Sequence, residues 1–156
     1  MNGQIQVRLG EERDAGTLVE FNRAIARETE NRELVTEVVS QGVRNFFRRP
    51  QFGFYVVAEA GGALVGCMMI TYEWSDWRNG LFWWVQSVYV RPDYRRRGVY
   101  SGLYEFVKSR AGEDGHVRGF RLYVERDNHI AQRVYSRLGM SETGYRMFEE
   151  VLPARS

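Results

Sequence analysis

The stretch Leu81–Val90, LFWWVQSVYV, is apolar and aromatic almost from end to end. It is far too short to span a membrane as a helix. A strand that lacks polar alternation is one whose two faces are both covered. The turn dipeptide Asn79-Gly80 precedes it and Pro92 closes it. A central strand of this kind requires a sheet with cover on each side.

The rest of the chain supplies sheet and cover. Ile5–Leu9 alternates apolar and polar and predicts a short strand. Leu18, Phe21 and Ile25 recur at helical spacing between Arg13 and Glu28. Val35, Val39, Val43 and Phe46 do the same between Glu33 and Phe47, and Pro50 ends that helix. FGFYVVAEAGGALVGCMMITYEW reads as strand, Gly61-Gly62 turn, strand. A helix is expected over Val99–Arg110, with Val99, Leu103, Phe106 and Val107 inward, then a strand over Phe120–Val124. The last helix carries Ala131, Val134, Tyr135 and Leu138 on its apolar stripe, with Asn128 as N-cap and Gly139 at C′. GYRMFEE is read as a final strand. The order β-α-α-β-β-β-α-β-α-β predicts an α/β fold: a mixed, mostly antiparallel sheet with a parallel central strand pair, flanked by helices. No linker or repeat divides the chain, so residues 1–156 are read as one domain.

Composition narrows the function classes. Apolar residues make up 44% and charged residues 27%, as in soluble globular proteins. A net charge of +2 gives no support to wholesale nucleic-acid binding, and no recognition motif is present. The single cysteine, Cys67, lies in the apolar run VGCMMI and reads as a packed core thiol in a reducing compartment. With no membrane-length apolar run and no signal-peptide core in MNGQIQVRLGEERD, the expectation is a cytoplasmic protein with no membrane association. His116 and His129 stand apart from any carboxylate cluster, so no metal site is expected.

The chemistry concentrates in RPDYRRRGVYSG. Arg95, Arg96, Arg97 and Gly98 lie between the end of the central strand and the start of a helix. A helix start presents N–H groups without intrahelical acceptors and the positive end of its dipole. Glycine lets the backbone curl close to a ligand, and arginines add charge. The combination suits a pyrophosphate.

The pattern V-x-V-x-P-x-x-R-x-x-G-V over Val88–Val99 resembles the coenzyme A loop of the GNAT superfamily of N-acetyltransferases. Asn128, Ala131, Tyr135, Arg137 and Gly139 are similar to that family's N-x-x-A-x-x-x-Y-x-[KR]-x-G-F block and follow the loop in the family's order. ITYEWSDW more loosely resembles the spermidine/spermine acetyltransferases. The resemblance implies acetyl-CoA as cosubstrate and direct attack by a primary amine in a ternary complex. It implies that Val88, Tyr89 and Val90 pair with the pantetheine arm and that the Val88 amide polarises the thioester carbonyl. It implies that the amides from Arg96 through Val99 and Tyr100 to Ser101 hold the pyrophosphate and that Asn128 hydrogen-bonds the pantetheine. Tyr135 takes the place of the general acid that protonates the thiolate. The resemblance also leaves room for a homodimer through C-terminal strands.

Three departures matter. Tyr100 stands where the family loop has glycine or alanine, so its ring must point away or the helix must start differently. Met140 replaces a phenylalanine. Trp84 and Gln86 occupy the strand positions where many relatives carry a glutamate base, and neither accepts a proton. Either water relays the proton or a carboxylate comes from elsewhere: Glu28, Glu30, Glu73 or Asp76. Those carboxylates, with Trp74, Trp77, Trp84 and Gln86, are the candidate acceptor residues, and the carboxylates and aromatic rings favour a small cationic amine. A non-catalytic acyl-CoA sensor is the alternative, supported by the missing strand glutamate.

Overall fold

The computed structural model describes residues 3–154. The chain forms two compact units, the first ending at Leu122 and the second beginning at Tyr123. The first holds β1 (Gln6–Leu9), α1 (Ala15–Glu30), α2 (Thr36–Phe47), β2 (Gly53–Ala60), β3 (Ala63–Ser75), β4 (Gly80–Val90), α3 (Val99–Asp114) and β5 (Val117–Arg121). The sheet runs β1-β2-β3-β4-β5. Its first four strands are antiparallel, and β5 lies parallel to β4, reached through α3. This is the expected mixed sheet with one parallel pair.

Residue parity explains the cover on both faces. Along β2 and its partners, Tyr55, Val57, Leu64 and Cys67 join Leu18, Val19 and Phe21 of α1 and Val43 and Phe46 of α2 in one buried cluster. The intervening residues serve the other face. Phe54 meets the Trp83 ring edge-on at 5.2 Å and lies under the Arg110 guanidinium of α3. Trp83 meets Phe120, which in turn meets Tyr104 of α3. β4 is thus covered on each side, as its composition requires. α3 buries Val99, Leu103, Tyr104, Val107 and Ala111. Val99 approaches the sheet where Gly66 has no side chain: a Cβ there would stand 3.0 Å from both the Val99 Cγ1 and the Tyr89 carbonyl.

Three expectations need correction. α2 begins at Thr36, and Val35 is its N-cap, 68% exposed rather than on the buried face. The strand expected over Phe120–Val124 runs over Val117–Arg121 instead. Gly119 sets that register, because a Cβ there would stand 2.7 Å from the Phe82 ring of the neighbouring strand. GYRMFEE is not a strand; among the described residues nothing after Arg137 is helix or strand. Its alternation of side chains has no partner strand, and Tyr145, Met147, Phe148, Val151 and Leu152 are exposed.

The second unit is organised around α4 (His129–Arg137). Asn128 caps it: the Asn128 side-chain carbonyl accepts the Ala131 N–H at 3.1 Å. Gly139, at φ 96, ends it. The Gly139 N–H donates to the Ser136 carbonyl and the Met140 N–H to that of Tyr135, a Schellman closure.

Candidate functional site

The site begins with an irregularity in β4. Gln86 pairs with Met69 and Tyr89 with Cys67, so Ser87 and Val88 together stand opposite Met68. This is a β-bulge, and Ser87 adopts φ 47 to make it. The buried Cys67 thiol donates to the Ser87 carbonyl at 3.4 Å. Burial pushes that thiol up to about 12, which makes it a packing group rather than a nucleophile. The extra residue also resets side-chain parity. Gln86 and Tyr89 face the same side of the sheet although three positions apart, and the Tyr89 ring lies 4.9 Å from Phe21 of α1. Pairing with β5 ends at Trp84 opposite Arg121. From Val85 to Val90 no strand pairs with β4 on that side among the described residues. Its backbone there is available to an extended ligand.

Beyond Val90 the chain makes a short helical turn, Pro92–Tyr94, and enters α3 through Arg95–Gly98. Arg96 has φ 63 and Gly98 φ 79. Left-handed backbone at an arginine costs about 1 kcal/mol, and such strain concentrates at ligand sites. A Cβ on Gly98 would meet nothing within 4 Å, so space lies open above the helix mouth. The first i→i−4 bond of α3 runs from Gly102 N–H to Gly98 carbonyl. The amides ahead of it precede any intrahelical acceptor and point along the axis toward that space. The Tyr100 ring stacks along the helix on Tyr104, centroids 6.3 Å apart. Of the two alternatives the sequence allows, the ring points away.

The arginines divide their work. Arg95 donates from Nε to the Val90 carbonyl at 2.8 Å and lies over the Tyr89 ring. Its Nη2 sits 3.2 and 3.1 Å from the two Glu28 oxygens of α1. Arg97 lies over the Tyr94 ring at 4.7 Å. Arg96 and Arg97 are exposed at the loop.

Cross-strand partners share a face, so Thr71, Glu73, Phe82, Trp84, Gln86 and Arg121 line the α1–α2 side of the sheet. The Gln86 side-chain amide donates to the Thr71 hydroxyl at 2.6 Å, leaving its carbonyl to accept from a ligand or water. Glu73 is ion-paired with Arg121, whose guanidinium lies 3.7 Å from the Phe82 centroid. Glu73 stands opposite Phe82, six positions from Val88 along β4; at about 3.4 Å per residue it is too far to act on a group held at the Val88 amide. Trp74, opposite Leu81, faces the other side and is exposed. Asp76 accepts the Trp77 N–H at 2.8 Å at the hairpin tip, and Trp77 is 88% exposed. Glu30 is exposed at the end of α1. The fold therefore gathers Trp84, Gln86 and Glu73 on one face, joins Glu28 to the arginine loop, and leaves Trp74, Asp76 and Trp77 apart. Thr71, Arg121 and the bulge were not anticipated; Thr71 and Arg121 were detectable only through the strand register.

In the second unit, burial raises the Tyr135 phenol above its ordinary value of 10.0, so it stays protonated at neutral pH. Asn128 spends its carbonyl on the helix cap and keeps its amide N–H donors. Among the described residues no group of three or more His, Cys, Asp or Glu could hold a metal ion, and no helix is long and apolar enough to cross a membrane.

A bulged strand open on one edge, leading into a glycine-gated helix mouth, defines the class. The model of the Acetyltransferase (GNAT) family matches residues 17–140. The chain is 39% identical to a possible acetyltransferase from Clostridium difficile 630, with a TM-score of 0.89 over 96% of this chain and 99% of that one. The predicted acetyltransferase from Clostridium acetobutylicum, solved with acetyl-CoA, shares the fold at 16% identity and TM-score 0.77, over 94% and 96% of the two chains. So does AAC(6')-Iy, solved with the bisubstrate analogue CoA-S-monomethyl-acetylneamine, at 17% identity and TM-score 0.75, over 96% and 99%. The chain belongs to the GNAT acetyltransferase family.

Proposed function

We propose that residues 1–156 act as one acetyltransferase domain, moving the acetyl group of acetyl-CoA onto the primary amine of a small molecule by direct attack in a ternary complex. The observation that carries this reading is the pairing of a bulged, one-sided β4 edge with the open α3 mouth at Gly98. The pantetheine arm lies along Val88–Val90 as an added strand, and the pyrophosphate lies on the amides opening α3. The Val88 N–H holds the oxyanion. Asn128 binds the pantetheine through its amide N–H, and Tyr135 gives its proton to the departing thiolate.

The acceptor amine reaches the thioester from the Gln86 side of β4. Glu73 stands far along β4 and Asp76 lies beyond it at the hairpin tip, so neither is proposed as the base. With no carboxylate from Gly80 to Val90, the ammonium loses its proton to water, which the Gln86 carbonyl orients. Glu28 and Glu73 each hold an arginine of their own, so their pull on a cationic acceptor is partly cancelled. The preference for a cationic amine rests on Glu30 and the Trp84 face and is modest. The exposed apolar side chains after α4 suit burial between two copies, a homodimer.

Turnover is read as thiol released from acetyl-CoA over a panel of amines, with acetylated product identified by mass. Release that depends on a primary amine supports the reading. Acetyl-CoA binding with no release across the panel supports the non-catalytic acyl-CoA sensor, which the carboxylate-free β4 also fits.

A further inference from the structure

We propose that Arg95 is a positioning residue and that Glu28 holds it: together they clasp the start of the coenzyme loop to the end of β4 and to α1. This rests on the reading that the loop binds acetyl-CoA. Arg95 belongs to the motif that suggests a phosphate ligand, yet its contacts turn inward. Nε is on the Val90 carbonyl at 2.8 Å, Nη2 is on both Glu28 oxygens at 3.2 and 3.1 Å, and the guanidinium carbon is 5.6 Å from the Tyr89 centroid. A planar fork with three simultaneous partners is fixed in direction, which a lysine in its place would not be. The clasp spans the bulge-to-helix connection. It joins Tyr89, whose backbone flanks the bulge, to Arg96, whose left-handed φ of 63 must be held by its surroundings.

Both side chains are nearly half exposed, at 45% and 42%, so the pair does little for overall stability. Its effect falls on the loop's geometry. Amides aimed at a pyrophosphate lose contact when displaced by about an ångström. Because α1 also borders the Gln86 side of the sheet, the clasp places a residue of the acceptor-side helix in direct contact with the coenzyme loop.

The sign of one substitution separates clasp from simple electrostatics. Glu28→Gln removes a negative charge close to a polyanion site, and through-space attraction alone would tighten coenzyme A binding. The clasp requires the opposite: Kd for coenzyme A rises about threefold to tenfold, and KM for acetyl-CoA rises in step. Arg95→Lys keeps the charge but loses the fork and weakens binding similarly. Arg95→Gln weakens binding without lowering the slope of log Kd against log salt, because Arg95 neutralises no phosphate. Glu28→Gln/Arg95→Gln is no weaker than Arg95→Gln alone. Glu12→Gln, which removes a carboxylate paired with Arg48, leaves Kd unchanged. Calorimetric titration of coenzyme A, with circular dichroism to verify folding, reads all of these. Equal or tighter binding by Glu28→Gln, or a reduced salt slope in Arg95→Gln, overturns the clasp while leaving the coenzyme reading intact. A wild-type protein that binds no coenzyme A overturns both.

Discussion

At the scale of single residues, Tyr135 and Asn128 each have a structural use and a proposed chemical one, and substitutions can part them. Tyr135→Phe keeps the ring on the α4 stripe and removes the proton. Turnover is expected to fall by about 10²–10⁴ with Kd for coenzyme A preserved; equal kcat in both proteins would leave Tyr135 a packing residue. Burial raises the phenol above 10.0, so it holds its proton while the acceptor ammonium loses one. kcat/KM is therefore expected to climb with pH and to begin falling only above about 10, the ordinary tyrosine value. A descending limb below pH 9 would assign the acid elsewhere. Asn128→Asp retains the oxygen that caps Ala131 but lacks the amide donors. Its melting temperature should match wild type while coenzyme affinity drops about fivefold, near 1 kcal/mol. Asn128→Ala should lose both, the cap costing about 1 kcal/mol. Equal affinity in Asn128→Asp and wild type would remove Asn128 from the coenzyme site.

At the scale of elements, β1 is the shortest antiparallel strand and is tied in by charge. Arg8 donates to both Asp14 oxygens, at 2.9 and 3.0 Å, and to Glu59 of β2 at 3.3 Å, while the Glu11 N–H donates to Asp14 at 2.8 Å. Burial works against the Asp14 carboxylate, yet Arg8 and the Glu11 amide outweigh it and hold its pKa below the ordinary 3.8. A depressed folded-state pKa gives stability that is complete well above 3.8 and is lost as pH falls through the lower, folded value. Asp14→Asn should cost about 1–3 kcal/mol near neutrality, since it removes the carboxylate that takes two of Arg8's hydrogen bonds and leaves it only Glu59 as a charged partner. Urea unfolding from pH 7 down to pH 3 should show the gap to wild type narrowing below about 4. A gap that stays constant, or none, would show that the pair does not hold β1.

Elements were legible where a local rule decides them. The Gly61-Gly62 hairpin, the doubly covered β4, the helix start at Gly98 and the Asn128 and Gly139 caps all follow from residue type and period. Features set by a distant neighbour were not. β5 lies a few residues early because Gly119 must pass Phe82. The bulge at Ser87 leaves no trace in composition. The Arg95–Glu28 and Arg121–Glu73 pairs join residues far apart in the chain. GYRMFEE alternates like a strand, but alternation without a partner makes none. The loop proposed to hold the coenzyme stood out in the sequence because phosphate chemistry needs glycine and arginine close together. The proposed acceptor face stood out less, because parity places Trp84 and Gln86 on one face only once the register is known.

For the molecule as a whole, the central claim is that acetyl-CoA binds where β4 opens into α3. Gly98→Asp tests it most directly. Aspartate is among the non-glycine residues found most often in left-handed backbone, and its Cβ meets no atom within 4 Å, so the fold is expected to persist at some cost in strain. Its carboxylate then occupies the space above the helix mouth and repels the pyrophosphate. Wild-type protein at a hundredfold excess of acetyl-CoA over Kd should gain about 2.7 kcal/mol of stability, seen as a raised melting temperature. Gly98→Asp, folded by circular dichroism, should show almost none of that gain. A folded variant whose melting temperature rises with acetyl-CoA as far as wild type would contradict the account.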